Sequence, residues 1–193
     1  MDIKTFSSTV RALPADVSVL IRGPHGIGKS HLAQSAADDM EMPLIDRRLS
    51  QMSEGDLVGL PELVDGVTRF CPPDWYARAC REPVVLLLDE INRATPELQQ
   101  GAFQIVLARE LNGHRLHPDT RVIAAVNASA EYQVNEMDPA LLDRFWVVDL
   151  DPTTEDWIEW ASGPGEIDSI IIDFIRHHPG HLRFKGQPEP DKV

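Results

Sequence analysis

Long apolar runs are missing from this chain of 193 residues. No stretch reaches the roughly 18 consecutive apolar residues that a membrane-spanning helix needs. The N-terminal segment MDIKTFSSTVRALPADV lacks the apolar centre of a secretory signal. The expected protein is therefore soluble and cytoplasmic, with no membrane span. Cysteine is scarce too. Cys71 and Cys80 stand without a histidine pair at metal-ligand spacing, which argues against a disulfide framework or a structural zinc site. They read as reduced, structural residues. Basic residues are few: 18 Lys and Arg stand against 31 Asp and Glu, for a formal net charge of −13. Such a surface repels a phosphate backbone, so nucleic acid is an unlikely general partner. No internal repeat is present.

What remains is ordinary globular material. The chain is 42% apolar and 25% charged, enough for one packed domain with a small appendage. Its 15 prolines punctuate segment edges, as at Leu13-Pro14, Thr95-Pro96 and Asp138-Pro139. Ile3, Phe6, Val10 and Leu13 share helical spacing, and Pro14 stops that helix. Short β-branched or apolar runs follow at 17–21, 43–45, 83–88, 121–126 and 146–148. The run Pro83 to Leu88 is too short for a buried helix and too continuous for a half-exposed strand. A central parallel strand fits it best. Thr95-Pro96 offers an N-cap and a first-turn proline for a helix to about residue 109, burying Leu98, Ala102, Phe103, Ile105 and Val106. Asp65-Gly66 and Asn112-Gly113 are hairpin turns. The rest of 50–73 reads as loop, residues 74–81 as a short helix, and Asp138-Pro139 as the cap of another. After Asp151 the pattern is helical only, with Trp157 and Trp160, then Ile167, Ile170, Ile171, Phe174 and Ile175 on two amphipathic helices. Strands alternating with helices imply right-handed crossovers and a parallel sheet covered on both faces.

Two motifs carry chemistry. Residues 23–30 read GPHGIGKS, matching G-x-x-x-x-G-K-[ST] between an expected strand and an expected helix. Gly23, Gly26 and Gly28 permit backbone conformations that turn N–H groups inward around phosphates. The positive end of the following helix adds attraction. Lys29 reaches the outer phosphates, and the Ser30 hydroxyl is a ligand for Mg²⁺. Pro24, His25, Ile27 and His31 complete the candidate nucleotide-binding segment, although His25 reads more simply as a solvated loop residue. The second motif is Asp89-Glu90, at the exit of the most apolar strand. Ligands of open parallel sheets bind at the carboxyl ends of the strands. Asp89 is therefore placed to hold Mg²⁺ directly or through water, and Glu90 to orient and deprotonate an attacking water. A water-activating glutamate favours hydrolysis over transfer to a small acceptor.

The segment VVLLLDEINRATPELQQGAFQIVLARE resembles the Walker B region and following helix of the MoxR branch of AAA+ ATPases. The resemblance runs from about residue 14 to 178. It implies a P-loop NTPase three-layer sandwich with a five-stranded parallel sheet, followed by part of a small helical lid. The expected divisions are an AAA+ core over 1–150, the start of a lid over 151–178 and a polar tail over 179–193. By the same resemblance Asn127 is the sensor 1 residue and Arg144, within MDPALLDRF, an arginine finger offered to a neighbouring subunit. Arg93 is a weaker candidate for the subunit boundary. The hairpin at Asp65-Gly66 falls where this branch carries an insertion. No clear second-sensor arginine closes the lid; Arg176 and Arg183 are candidates by location alone. The function implied is Mg-dependent ATP hydrolysis by an oligomer, a hexameric ring, coupled to chaperone-like remodelling of a protein client or partner, with von Willebrand factor A proteins as the implied partner class. The alternatives are an ATP-binding scaffold or switch with little hydrolysis, and a DNA-associated helicase or loader.

Overall fold

The computed structural model describes residues 3–24, 26–127, 142–163 and 166–182. The chain divides into two compact units, the first ending at Asp151 and the second beginning at Pro152.

The first unit is built on five parallel strands. They are β1 (Ser18–Gly23), β2 (Leu44–Arg48), β5 (Val85–Asp89), β8 (Arg121–Asn127) and β9 (Phe145–Asp149), in the order β2-β5-β8-β1-β9. Alternate residues of each strand feed opposite layers. On one face, Val19, Ile21, Val85, Leu87, Ile123 and Ala125 pack with Phe6 and Val10 of α1 (Ile3–Ala12) and with Leu32, Ala33, Ala36 and Ala37 of α2 (Lys29–Asp39). On the other, Leu20, Leu86, Leu88, Val122, Ala124 and Val126 meet α3 (Glu54–Val58), α4 (Asp74–Arg81) and α5 (Pro96–Ala108) through Leu57, Tyr76, Ala79, Leu98 and Ile105. This is the expected three-layer sandwich. The strand β5 is buried at all five positions, as its continuous apolar run demands.

Some boundaries moved for identifiable reasons. The strand β2 runs on through Asp46, Arg47 and Arg48, beyond the expected 43–45. Parallel pairing with Leu87, Leu88 and Asp89 of β5 fixes their backbone whatever their polarity. The helix α3 lies inside the stretch expected to be loop. Its signal is the capping box Ser53…Asp56, in which each residue's side chain serves the other's backbone N–H. Phe103 is half-buried, not buried, while the other four expected residues of α5 are in the core. Thr95 caps α5 by accepting from the Leu98 N–H. Both hairpins form, as β3 (Leu60–Val64) with β4 (Val67–Cys71) and β6 (Glu110–Leu111) with β7 (His114–Arg115). Cys71 and Cys80 are free thiols.

The second unit contains α6 (Thr154–Ser162) and α7 (Ser169–His177). In α7 the buried residues are Ile172 and Ile175, whereas Ile170, Ile171 and Phe174 are exposed. The apolar stripe of that helix is wider than the face it buries. The expected short helix at Asp138-Pro139, the loop residue His25, and Arg183 lie outside the described residues. Among the described residues no helix is long and apolar enough to cross a membrane.

Candidate functional site

Three strand ends converge. Gly23 of β1 lies level with Asn127 of β8, and Asp89 ends β5 on the other side of β8. The turn after β1 leads into α2, whose N-cap is Gly28 at φ 89°, a left-handed conformation that glycine adopts without a Cβ penalty. No side chain caps this helix. Its first N–H groups are thus left for an anion, the arrangement that binds phosphate at helix N-termini. Gly26, Gly28, Lys29, Ser30, His31, Asp89, Glu90 and Asn127 line one cleft of about 340 Å³.

Lys29 is buried, yet its ammonium finds three acceptors. It donates to the carbonyls of Gly23 and Pro24 at 2.9 and 2.7 Å and to Oδ1 of Asn127 at 2.6 Å. Burial pushes its pKa down; the nearby Asp89 and Glu90 carboxylates push it back up. The Ser30 hydroxyl donates to Asp89 Oδ2 at 3.3 Å. These two hard oxygen donors fit Mg²⁺, which takes few protein ligands and completes its shell with water and phosphate oxygens. Among the described residues no larger cluster of His, Cys, Asp or Glu could hold a metal.

Glu90 sits at φ 55° in the left-handed region, unusual for a non-glycine residue. It stands at the N-cap of the short turn Ile91–Arg93 that follows β5. Ser50, in the short turn Leu49–Gln51 after β2, donates its hydroxyl to Glu90 Oε2, and the Arg93 guanidinium lies 3.5 Å from Oε1. Sequence reasoning missed Ser50, because nothing local in its neighbours marks it. It also missed Asn92, which is buried and donates from Nδ2 to the Asn127 carbonyl at 3.3 Å, bracing the strand end behind Lys29. Asp46 was missed as well: partial desolvation and the neighbouring Asp89 push its carboxyl up.

Not every candidate comes to the cleft. The Ile27 side chain packs at the edge of the core beside Gly23, and Pro24 contributes its carbonyl to Lys29. Arg144 is exposed at the amino end of β9, where Phe145 is level with Ser18. Five strand residues at ~3.3 Å each put Phe145 about 17 Å from the level of Gly23 along the sheet, and Arg144 stands one residue further. It is not among the described residues that line its own chain's cleft.

A three-layer sandwich with a glycine-rich phosphate loop after β1 and an acidic pair after β5 defines a P-loop NTPase. The comparisons narrow the class. The AAA domain of the dynein-related subfamily matches residues 18–145, and the chain belongs to that family. The resemblance to AAA+ ATPases of the MoxR branch is borne out. The gas vesicle ATPase GvpN of Ancylobacter aquaticus is 28% identical over 166 residues, covering 72% of this chain and 46% of that protein. The denitrification regulatory protein NirQ of Stutzerimonas stutzeri is 23% identical over 184 residues, covering 91% of this chain and 66% of that one. The chain thus spans about half to two thirds of the length of these relatives. Among solved structures, a candidate ATPase from Cytophaga hutchinsonii superposes with a TM-score of 0.60 at 16% identity, covering 86% of this chain and 51% of that one. The P216G mutant of Thermotoga maritima RuvB gives 0.56 at 20%, covering 81% and 48%. These last two share the fold.

Proposed function

We propose that this chain hydrolyses ATP with Mg²⁺ as part of an oligomer, a hexameric ring, and spends the cycle on remodelling a protein partner. The observation that carries the reading is the convergence of Lys29, Ser30, Asp89, Glu90 and Asn127 on one cleft. Each has a distinct task there. The uncapped α2 N-terminus and Lys29 hold the phosphates. Ser30 and Asp89 hold the metal, which supplies charge neutralisation at the transferring phosphoryl group. Glu90 takes the proton of the attacking water. Asn127, already fixed to Lys29, positions that water. The exposed Arg144, remote from its own cleft, serves the cleft of a neighbouring copy and offsets charge there. The second unit is read as the start of a lid. GvpN is named an ATPase and NirQ a regulatory protein, which supports nucleotide-driven action on a partner; a von Willebrand factor A protein is the partner class proposed. The charge of −13 keeps a DNA-associated role in third place.

ATP turnover of wild type and of Glu90→Gln tests this. Loss of a general base lowers turnover by about 10²-fold or more. Equal turnover in the two proteins would remove Glu90 from the mechanism. Light scattering with and without ATP tests the shared site, with an assembly of hexamer mass expected only with nucleotide and Arg144→Ala turnover falling while nucleotide binding persists.

One observation favours a second reading, an ATP-binding switch that seldom hydrolyses. Both oxygens of Glu90 are engaged, one by Ser50 and one by Arg93, so the base must leave partners to meet water. ATP-driven assembly without measurable turnover would select this reading.

A further inference from the structure

A second cleft, of about 510 Å³, opens at the base of the β3–β4 hairpin and shares no lining residue with the nucleotide cleft. It is firmly built. Gly59 takes φ 83°, and a Cβ there would strike the Cys71 carbonyl, so this backbone approach closes the hairpin base. The Trp75 indole N–H donates to the Asp56 carbonyl at 3.0 Å, joining α4 to α3. The Arg47 guanidinium lies over the Trp75 ring, 5.4 Å from its centroid. His114 and Asn112 of the second hairpin bond the carbonyls of Phe70 and Val58, tying it to the first hairpin and to the end of α3.

Chemistry of the lining selects an occupant. Leu60 is 68% exposed in the cleft wall, and Met52, Pro72 and Trp75 add apolar surface. Asp56 and Asp74 stand at the rim against one cation, Arg47. That cation stacks on Trp75 and donates to the Asp46 carbonyl at 3.2 Å, which leaves one positive charge against two carboxylates. The Ser53 N–H and hydroxyl, which donate to the Asp56 carboxylate, push its pKa down. The cleft is thus apolar with a net negative rim, on a chain of charge −13. It continues onto the hairpin face that carries the cross-strand pairs Leu60–Cys71, Glu62–Arg69 and Val64–Val67. Val67 at the tip is 59% exposed. The hairpin is a sheet of two strands, and an extended chain adds to the edge of such a sheet by main-chain hydrogen bonds while alternate side chains give specificity.

We propose that this cleft and the hairpin edge beside it dock an extended basic segment of a partner protein, with lysine or arginine against Asp56 and Asp74 and an apolar side chain against Leu60 and Trp75. The wall residues Arg47 and Met52 flank the turn Leu49–Gln51, whose Ser50 hydroxyl donates to Glu90. Occupancy of the cleft is therefore one turn away from the base. This last step rests on the hydrolysis reading; the docking itself does not.

Calorimetry on the full chain tests the docking with two short synthetic peptides, one alternating leucine with lysine and the other leucine with glutamate. The lysine peptide binds about tenfold tighter or better. Asp56→Asn/Asp74→Asn and, separately, Leu60→Ser each weaken it by about fivefold or more, while Asp39→Asn/Glu41→Gln, an equal change of charge on α2 and the turn after it, moves it by less than about twofold. Leu60 is exposed, so its variant folds normally. Equal affinity for the two peptides, or equal loss in the α2 control, overturns the proposal, because either means diffuse attraction to an acidic chain. The lysine peptide also changes wild-type ATP turnover but not that of Ser50→Ala. Binding with an unchanged rate removes the coupling and leaves the docking, and calorimetry reads the docking even where turnover is absent.

Discussion

Lys29→Met separates the two tasks of the phosphate-loop lysine, because methionine keeps much of the aliphatic stem and a high helix propensity. The change removes an ammonium that donates to Gly23 O, Pro24 O and Asn127 Oδ1. Pro24 is exposed, so its carbonyl turns to water at little cost. Gly23 and Asn127 are buried, and each acceptor left unpaired costs about 1–3 kcal/mol. Against this, the variant no longer desolvates a cation, and the downward push on the Lys29 pKa shows that this burial is costly. The two effects largely cancel, leaving a net destabilisation of roughly 1–2 kcal/mol, or a melting temperature lower by roughly 2–8 °C for a domain of this size. Nucleotide binding has no such offset. An ammonium about 4 Å from a phosphate charge gains about 4 kcal/mol at the effective dielectric of a protein surface. Giving up one existing bond to a neutral acceptor returns about 1 kcal/mol of that. The remaining ~3 kcal/mol corresponds to an affinity loss of about 10²-fold. Thermal melts and calorimetric titration with Mg-ATP measure the two numbers on one sample. A variant that melts far lower yet binds ATP within about threefold of wild type would refute the assignment.

Three further changes probe the frame around the cleft. Gly59→Ala meets both the Cys71 carbonyl and a positive φ, whereas Gly66→Ala meets positive φ with open space around its Cβ; the first is expected to cost about 3 kcal/mol and the second about 1 in denaturant melts, and equal costs would dismiss the close approach at Gly59. The Cys71 thiol, exposed but donating to Glu62 Oε2 at 2.9 Å, has its pKa raised first by that bond. Less thiolate is present at pH 8 than in a free thiol, so alkylation by iodoacetamide is slow and Glu62→Gln speeds it; an unchanged rate removes the bond from solution. Arg109 caps α5 in the left-handed region and donates to the carbonyls of Ala15, His117 and Thr120; Arg109→Lys supplies a point donor where a fork is needed and lowers stability by about 1–3 kcal/mol, read by thermal melt.

The middle of the sheet was legible in the sequence because β1, β5 and β8 are buried on both faces. Val85 to Leu88 has no polar position to spare, and that continuity is itself the signal. Gly23 to Ser30 was legible because phosphate binding by backbone demands particular residues at fixed spacing, and the same holds for Asp89-Glu90. What escaped was set by tertiary pairing. Asp46, Arg47 and Arg48 lie beyond the expected strand until β5 is placed beside them. Ser50 stands 40 positions from Glu90, and no local pattern announces a bond across that interval. The strand order, which brings β8 between β5 and β1, likewise has no local signature, yet it alone joins Asn127 to Lys29.

That order explains why the cleft is coupled rather than assembled from independent parts. β8 touches both β5 and β1, so its end, Asn127, is a point from which a side chain meets the phosphate lysine while its carbonyl is held by Asn92, just past the acidic pair. A movement of Lys29 toward a phosphate releases the Asn127 amide. A movement of the Glu90 turn shifts Asn92 and with it the Asn127 backbone. Asn127→Asp tests the linkage. The carboxylate keeps the shape and strengthens the bond to the ammonium, so Lys29 is held back from the nucleotide and a negative charge stands near the outer phosphate. ATP affinity should fall about tenfold or more, with ADP, lacking that phosphate, affected less. Equal losses for ATP and ADP would mean that Asn127 senses no more than the integrity of the loop.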